Sequence, residues 1–380
     1  MRAWITGLVF MVFGLAGTAN AQETDPLNTK AEFAYILDAD TGLTLYSKRG
    51  DEPMVPASMT KIMTAYVVFE RIRDGRLSLD DEFTVSENAW RRGGAASGGS
   101  TMFLELNSKV RVEDLLRGVI IQSGNDACIV LAEGVSGSEE AFAREMTLRA
   151  EELGLSTLNF KNSTGLYHEE HVVSAEDLAQ LAYLMITEFP EYYTFYSERE
   201  FTWNGIRQPN RNPLLGDVDG ADGMKTGHLE ISGYGLVGTA VRDGERRIIV
   251  LNGLPSIADR AQEARRVMRS AFVDFQVRDI VGADVVVGEA DVWLGQSKRV
   301  PLKTTEAMTI GVHADAARRM ETYISYRGPL TAPVKAGDQV GELVVSAPGM
   351  EEIRAPLVAD ADIPKLGLIG RALLGISGGQ

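Results

Sequence analysis

The 380-residue chain reads as a mixed α/β (α+β) protein in which a larger helix-and-sheet domain is followed by a small all-β domain. Three observations predict this. The first is a hairpin near the start, with short apolar strands Ala34-Tyr35-Ile36-Leu37-Asp38 and Leu43-Thr44-Leu45-Tyr46 around the turn Asp40-Thr41-Gly42. The second is a series of stretches with helical period. The third is a change of character near Val277, after which short β-branched runs alternate with turns.

The elements follow in order. Arg2, the apolar run Ile5 to Ala16 and the small-x-small site Ala19-Asn20-Ala21 read as a secretory signal over residues 1–21, too short in its apolar part for a bilayer span. Residues 22–275 are expected to form the larger domain. There Pro56-Ala57-Ser58 opens a helix, with Met59, Ile62, Met63, Tyr66, Val67 and Phe69 at helical spacing. Arg91 to Ser100, rich in Gly, Ala and Ser, reads as a loop. Val112–Val135 and Ser138–Leu153 read as helices, the second capped by Gly154, and Ser174-Ala175-Glu176-Asp177 starts another. Residues 276–362 form the β-rich domain, with strands predicted at Val285-Val286-Val287, Val292-Trp293-Leu294, Tyr323-Ile324-Ser325-Tyr326 and Leu343-Val344-Val345. Residues 363–380 carry Leu366, Leu368, Ile369, Leu373, Leu374 and Ile376 with Lys365 and Arg371. They read as an amphipathic tail for peripheral contact with a membrane face, weakened by Gly367, Gly370 and Gly375.

Composition narrows the function. The formal net charge of −15 argues against a nucleic-acid partner, because binding phosphates takes a basic stripe. A single cysteine, Cys128, excludes an internal disulfide and sits in an apolar run, so it reads as a buried small hydrophobe. The four histidines, His168, His171, His228 and His313, are too scattered for a zinc site, and no metal or cofactor is expected.

Three short motifs carry chemistry. In Ser58-Met59-Thr60-Lys61 the serine and lysine stand at i and i+3 on one helix face, where a lysine of lowered pKa can activate a serine. Ser58 also lies at a helix start, where free N–H groups can hold an oxyanion. Ser123-Gly124-Asn125 supplies a hydroxyl for proton relay and an amide for a peptide carbonyl. Gly124 is the expected tight-turn residue, and the matching pattern Ser86-Glu87-Asn88 reads instead as a helix cap. Lys225-Thr226-Gly227 supplies charge, a hydroxyl for a carboxylate and a glycine that admits another backbone. On a flat strand, Lys225 and Thr226 should face opposite ways.

The order Ser-x-x-Lys, Ser-x-Asn, Lys-Thr-Gly is the signature of penicillin-binding proteins and serine β-lactamases. The longer text resembles the D-alanyl-D-alanine carboxypeptidase family, low-molecular-weight penicillin-binding proteins with a C-terminal β domain. The matching segments are Pro56 to Thr64, Ser123-Gly124-Asn125-Asp126-Ala127, Thr202-Trp203-Asn204-Gly205, Asn210-Arg211-Asn212 and Asp222 to His228. The resemblance implies a penicillin-binding/serine β-lactamase-like transpeptidase domain and catalysis by Ser58 as nucleophile, Lys61 as base and Ser123 as proton relay. Asn125, Lys225, Thr226 and Gly227 would bind substrate, the backbone of His228 would join that of Ser58 in the oxyanion hole, and Arg260 would hold the terminal carboxylate. The implied partners are peptidoglycan stem peptides and, as covalent inhibitors, β-lactam antibiotics, in the periplasm. Thr164 stands where some relatives carry a histidine. Three other readings remain open at this level: a D,D-endopeptidase acting on cross-links, a peptidoglycan-binding protein with a dead site, and a serine β-lactamase. The last would need a deacylating glutamate, for which Glu152 in Glu152-Leu153-Gly154 is the candidate.

Overall fold

The computed structural model describes residues 25–348 and 350–367. The expected signal segment and the tail beyond Gly367 lie outside the described residues.

In chain order the larger unit runs β1 (Phe33–Asp38), β2 (Thr44–Lys48), α1 (Lys61–Arg73), β3 (Glu82–Thr84), α2 (Glu87–Gly93), β4 (Lys109–Arg111), α3 (Val112–Ile120), α4 (Asn125–Ser136), α5 (Glu139–Glu152), α6 (Ala175–Glu188), α7 (Pro190–Tyr193), β5 (Glu200–Trp203), β6 (Ile206–Pro209), β7 (Ala221–Leu229), β8 (Gly233–Arg242), β9 (Glu245–Leu254) and α8 (Ile257–Val273). Its centre is a five-stranded antiparallel sheet of order β2-β1-β9-β8-β7, which leaves β7 as an edge. Because successive side chains alternate between faces, each strand feeds two cores. Tyr35, Leu37, Ile248 and Val250 pack with the helices around α1, α3 and α4. Ala34, Ile36, Ile249 and Leu251 pack with Ala264, Val267, Met268 and Ala271 of α8. A sheet covered on both faces explains why β9 reads as the continuous apolar run Ile248-Ile249-Val250-Leu251.

The helix expected over 112–135 is two helices. The chain leaves α3 at Ile121 and re-enters at Asn125, and the residue with left-handed backbone in the break is Ser123, at φ 59°, rather than the expected Gly124. Gly124 is required for space instead: a Cβ there would stand 3.0 Å from the Met102 backbone nitrogen. The expected loop over 91–100 is partly helical, since α2 runs on to Gly93 from the cap Ser86, whose Oγ accepts from Ala89 N–H.

The second unit comprises β10 (Phe275–Val281), β11 (Val286–Trp293), β12 (Arg299–Thr304), β13 (Met308–His313), the short α9 (Ala314–Ala317), β14 (Glu321–Ser325), β15 (Leu330–Thr331), β16 (Gln339–Ser346) and β17 (Ile353–Ala359). A six-stranded sheet of order β14-β16-β17-β12-β11-β15 lies beside the pair β10–β13, around a core that includes Val300, Leu302, Ile310, Val345 and Leu357. The first residues of the expected tail belong here: Ile363 is buried and bridges Val334, and Lys365 bridges Gly295. The unit seats on the first through β13 and β2. Gly311 lies so close to the Thr44 carbonyl that a side chain there would collide, and the Phe275 ring meets Tyr46 on one side and His313 on the other.

Candidate active site

Three elements bring the three motifs together: the turn into α1, the break between α3 and α4, and the edge strand β7. Ser58 lies in a 3-10 turn, Ala57–Thr60, and Lys61 opens α1 directly after it, so the expected one-face spacing holds with tighter winding. Ser58 is partly exposed, within reach of a substrate, while Lys61 is 1% exposed.

The Lys61 ammonium has three partners: Ser58 Oγ at 2.9 Å, Asn125 Oδ1 at 2.9 Å and the Thr164 carbonyl at 2.6 Å. Two of these are obligate acceptors. When Lys61 is neutral, its two N–H bonds satisfy Asn125 and Thr164, and the lone pair is left facing the Ser58 hydroxyl. The neutral form is made accessible by burial first, with the Arg211 charge adding to it, which together bring the pKa down to about 8 from an ordinary 10.5. The geometry that would let Lys61 act as a base toward Ser58 is thus set by Asn125 and Thr164, which lie 64 and 103 residues away.

Ser123 is buried opposite, with its Oγ 3.0 Å from Lys225 Nζ. Lys225 is also buried. Desolvation, then the charges of Lys61 and Arg211, hold its pKa well below the ordinary value. The lysine side chain curls along its own strand, so that Nζ also lies 3.2 Å from the carbonyl of the next residue, Thr226. Gly227 allows β7 to approach the nucleophile turn: a Cβ there would be 2.8 Å from the Pro56 carbonyl and 3.3 Å from Ala57 Cβ. His228, the next residue, is exposed and stacks on Tyr234 of β8 with ring centroids 3.9 Å apart.

Arg260 lies in the first turn of α8. It is 8% exposed, its guanidinium is 5.7 Å from the Tyr234 ring centre, and its Nε has no hydrogen-bond partner. Burial, with the Arg211 charge second, lowers its pKa. A desolvated, under-bonded cation beside Lys225 is a ready receptor for a carboxylate. Its neighbours Arg265 and Arg266 are engaged elsewhere, with Asp217 and Glu263.

Sequence reasoning gave no role to several residues that shape this site. Arg211 is a further cation; its Nη1 donates to Ser100 Oγ at 2.6 Å, and burial lowers its pKa. The backbone N–H of Asn125 donates to the Ser100 carbonyl, and Asp126 gathers the N–H groups of Met102 and Leu104, so the 100–104 segment is tied to the start of α4. The segment Asn210-Arg211-Asn212 was a visible signal, but only contact across 111 residues ties it to Ser100. Glu152 is exposed at the end of α5 and pairs with Arg149, away from these groups. Among the described residues, no three His, Cys, Asp or Glu side chains are grouped to hold a metal ion.

Comparison with known proteins matches this arrangement. A family model described as D-alanyl-D-alanine carboxypeptidase covers residues 18–255, and one described as penicillin-binding protein 5, C-terminal domain, covers residues 275–365. The chain is 35% identical to D-alanyl-D-alanine carboxypeptidase DacC of Escherichia coli, over 98% of this chain and 94% of that protein. The crystal structure of the carboxypeptidase DacD from Francisella tularensis superposes with a TM-score of 0.75 at 30% identity, covering 89% of this chain and 94% of the other. Penicillin-binding protein D2 from Listeria monocytogenes, solved in its ampicillin-bound form, is 28% identical with a TM-score of 0.56, covering 64% of this chain and 98% of that one.

Proposed function

The chain belongs to the D-alanyl-D-alanine carboxypeptidase family, and from that premise we propose that it removes the terminal D-alanine of peptidoglycan pentapeptides through an acyl-enzyme on Ser58. The observation that carries the reading is the Lys61 amine, buried and held by Asn125 and Thr164, at 2.9 Å from the Ser58 hydroxyl.

Lys61 takes the Ser58 proton as Oγ attacks the carbonyl of the penultimate D-alanine. The developing oxyanion is held by the backbone N–H groups of Ser58 and His228, across the close approach that Gly227 permits. Asn125 binds the substrate amide. Thr226 and Arg260 receive the terminal carboxylate. Ser123, fed by Lys225, passes a proton to the leaving D-alanine nitrogen, and water then hydrolyses the ester. A β-lactam presents a strained amide and a carboxylate to the same groups and acylates Ser58. Export to the periplasm through residues 1–21 completes the reading, with the apolar stretch that follows Gly367 as the membrane-facing tail.

The test is D-alanine release from a pentapeptide ending in D-alanyl-D-alanine, beside a cross-linked dimer, for the wild type, Ser58→Ala and Arg260→Ala. The expected result is release from the pentapeptide that vanishes in Ser58→Ala. Arg260→Ala should lower kcat/KM roughly 100-fold, the scale for removing one charged partner of a buried carboxylate. Release from the dimer alone would make the enzyme an endopeptidase, and unchanged release by Ser58→Ala would end the scheme.

A further inference from the structure

His171 is 1% exposed, and its ring packs edge-on to Phe160 with centroids 5.6 Å apart. Its Nδ1 lies 3.3 Å from the Lys161 backbone nitrogen, and its Nε2 lies 2.9 Å from Thr60 Oγ1. A backbone N–H can only donate, so Nδ1 is bare and the proton sits on Nε2. Nε2–H therefore donates to the Thr60 hydroxyl. Burial, then the charges of His168 and Lys61, hold the imidazole neutral by lowering its pKa to about 4.

Thr60 closes the nucleophile turn and precedes Lys61, and that junction does not hold itself. Ala57 sits at φ 48°, a left-handed conformation that is unfavourable for a residue with a Cβ. Thr60, at the N-cap of α1, makes no side-chain cap bond. The restraint comes from outside, from the segment 163–171. The Ser163 carbonyl accepts from Thr64 Oγ1 at 2.7 Å, the Thr164 carbonyl accepts from Lys61, and Gly165 lies against the Ala57 carbonyl. Of these ties, only the one from His171 is made by a side chain of that segment. It grips the motif on an atom that takes no part in the chemistry.

We propose that His171 is a positioning residue for Ser58 and Lys61, acting through the Thr60 hydroxyl as a fixed Nε2–H donor. This rests on the reading of Ser58 as the acylated nucleophile.

The test uses the full chain and a fluorescent penicillin, with D-alanine release from the pentapeptide in parallel. The side-chain nitrogen of Gln reaches the Nε2 position, whereas Asn reaches only that of Nδ1. We therefore expect His171→Asn and Thr60→Val each to slow acylation about tenfold, with KM for the pentapeptide within about twofold, the signature of misplaced reacting atoms. His171→Gln and Thr60→Ser should recover to within about threefold of wild type, and the double variant Thr60→Val/His171→Asn should be no slower than the slower single one. Thermal unfolding of each variant separates loss of fold, including the larger cavity left by Asn, from loss of alignment. Wild-type acylation by His171→Asn, a His171→Gln as slow as His171→Asn at equal thermal stability, or multiplying losses in the double variant would each overturn the proposal. Labelling of Ser58→Ala would instead overturn the nucleophile assignment, whatever His171 does.

Discussion

The Lys61 amine shows how much a single residue owes to its surroundings. Burial first, with the Arg211 charge adding to it, brings the pKa to about 8 from 10.5. By the ordinary titration relation, roughly a tenth of the amine is neutral at pH 7, against about one part in 3,000 for a free lysine. The direction of the pH dependence follows. The reactive form is the deprotonated one, so acylation should rise with pH through about 8 and level above it. Stopped-flow acylation by a β-lactam between pH 5.5 and 9.5 checks this, and a rate that is flat or falls across that range would contradict Lys61 as the base. Ser123 is a second case at this scale. Its left-handed backbone turns the hydroxyl toward Lys225 and away from the helices on either side, a conformation that side-chain identity alone does not announce.

At the scale of elements, the site depends on how β7 is held, because an edge strand has hydrogen bonds on one side only. Near its start, Asp222 takes a two-pronged ion pair from Arg246 at 3.0 and 2.7 Å, and accepts from Thr239 Oγ1 at 2.6 Å and Tyr193 Oη at 3.0 Å. Lys225 lies three residues along the same strand. Arg246→Met leaves the partly buried Asp222 carboxylate without its cation, and should lower stability by about 1–3 kcal/mol and slow acylation severalfold through β7. Denaturant unfolding together with labelling by fluorescent penicillin reads both effects, and a loss of stability with unchanged acylation would show that β7 is held without this pair. The segment 163–171 is the corresponding brace on the other wall. Gly165 at φ 81° lies against the Ala57 carbonyl, so Gly165→Ala combines backbone strain with a collision at the nucleophile turn.

The whole molecule has separate cores. Those of the catalytic unit surround the five-stranded sheet, and that of the β unit is built from β10 to β17. They meet at a seat formed by Gly311 against the Thr44 carbonyl and by Phe275 between Tyr46 and His313. Separate cores joined by so few groups should melt separately. Differential scanning calorimetry is expected to show two transitions, of which only one moves when a β-lactam acylates the protein. A single transition shifted as a whole would instead show that the seat couples the two units tightly.

The sequence by itself determined the mixed-then-β order of the chain, with the change near Val277, and singled out Ser58, Lys61, Ser123, Asn125, Lys225 and Arg260 as candidates. These were legible because helical and strand periods and short ordered motifs are local properties of the chain. The resemblance carried by the motifs was enough to point to the family that the comparisons show. The tertiary structure alone decided what surrounds those residues. It split the segment 112–135 at Ser123, curled the Lys225 side chain to the neighbouring Thr226 carbonyl, brought Arg211 against Ser100, and set the Thr164 carbonyl on Lys61 and the His171 ring on Thr60. The physical reason is that a lowered lysine pKa and a strained turn are products of burial and of contacts between residues far apart in sequence. Neither leaves a period or a spacing in the chain, and both exist only once the sheet and its helices have packed.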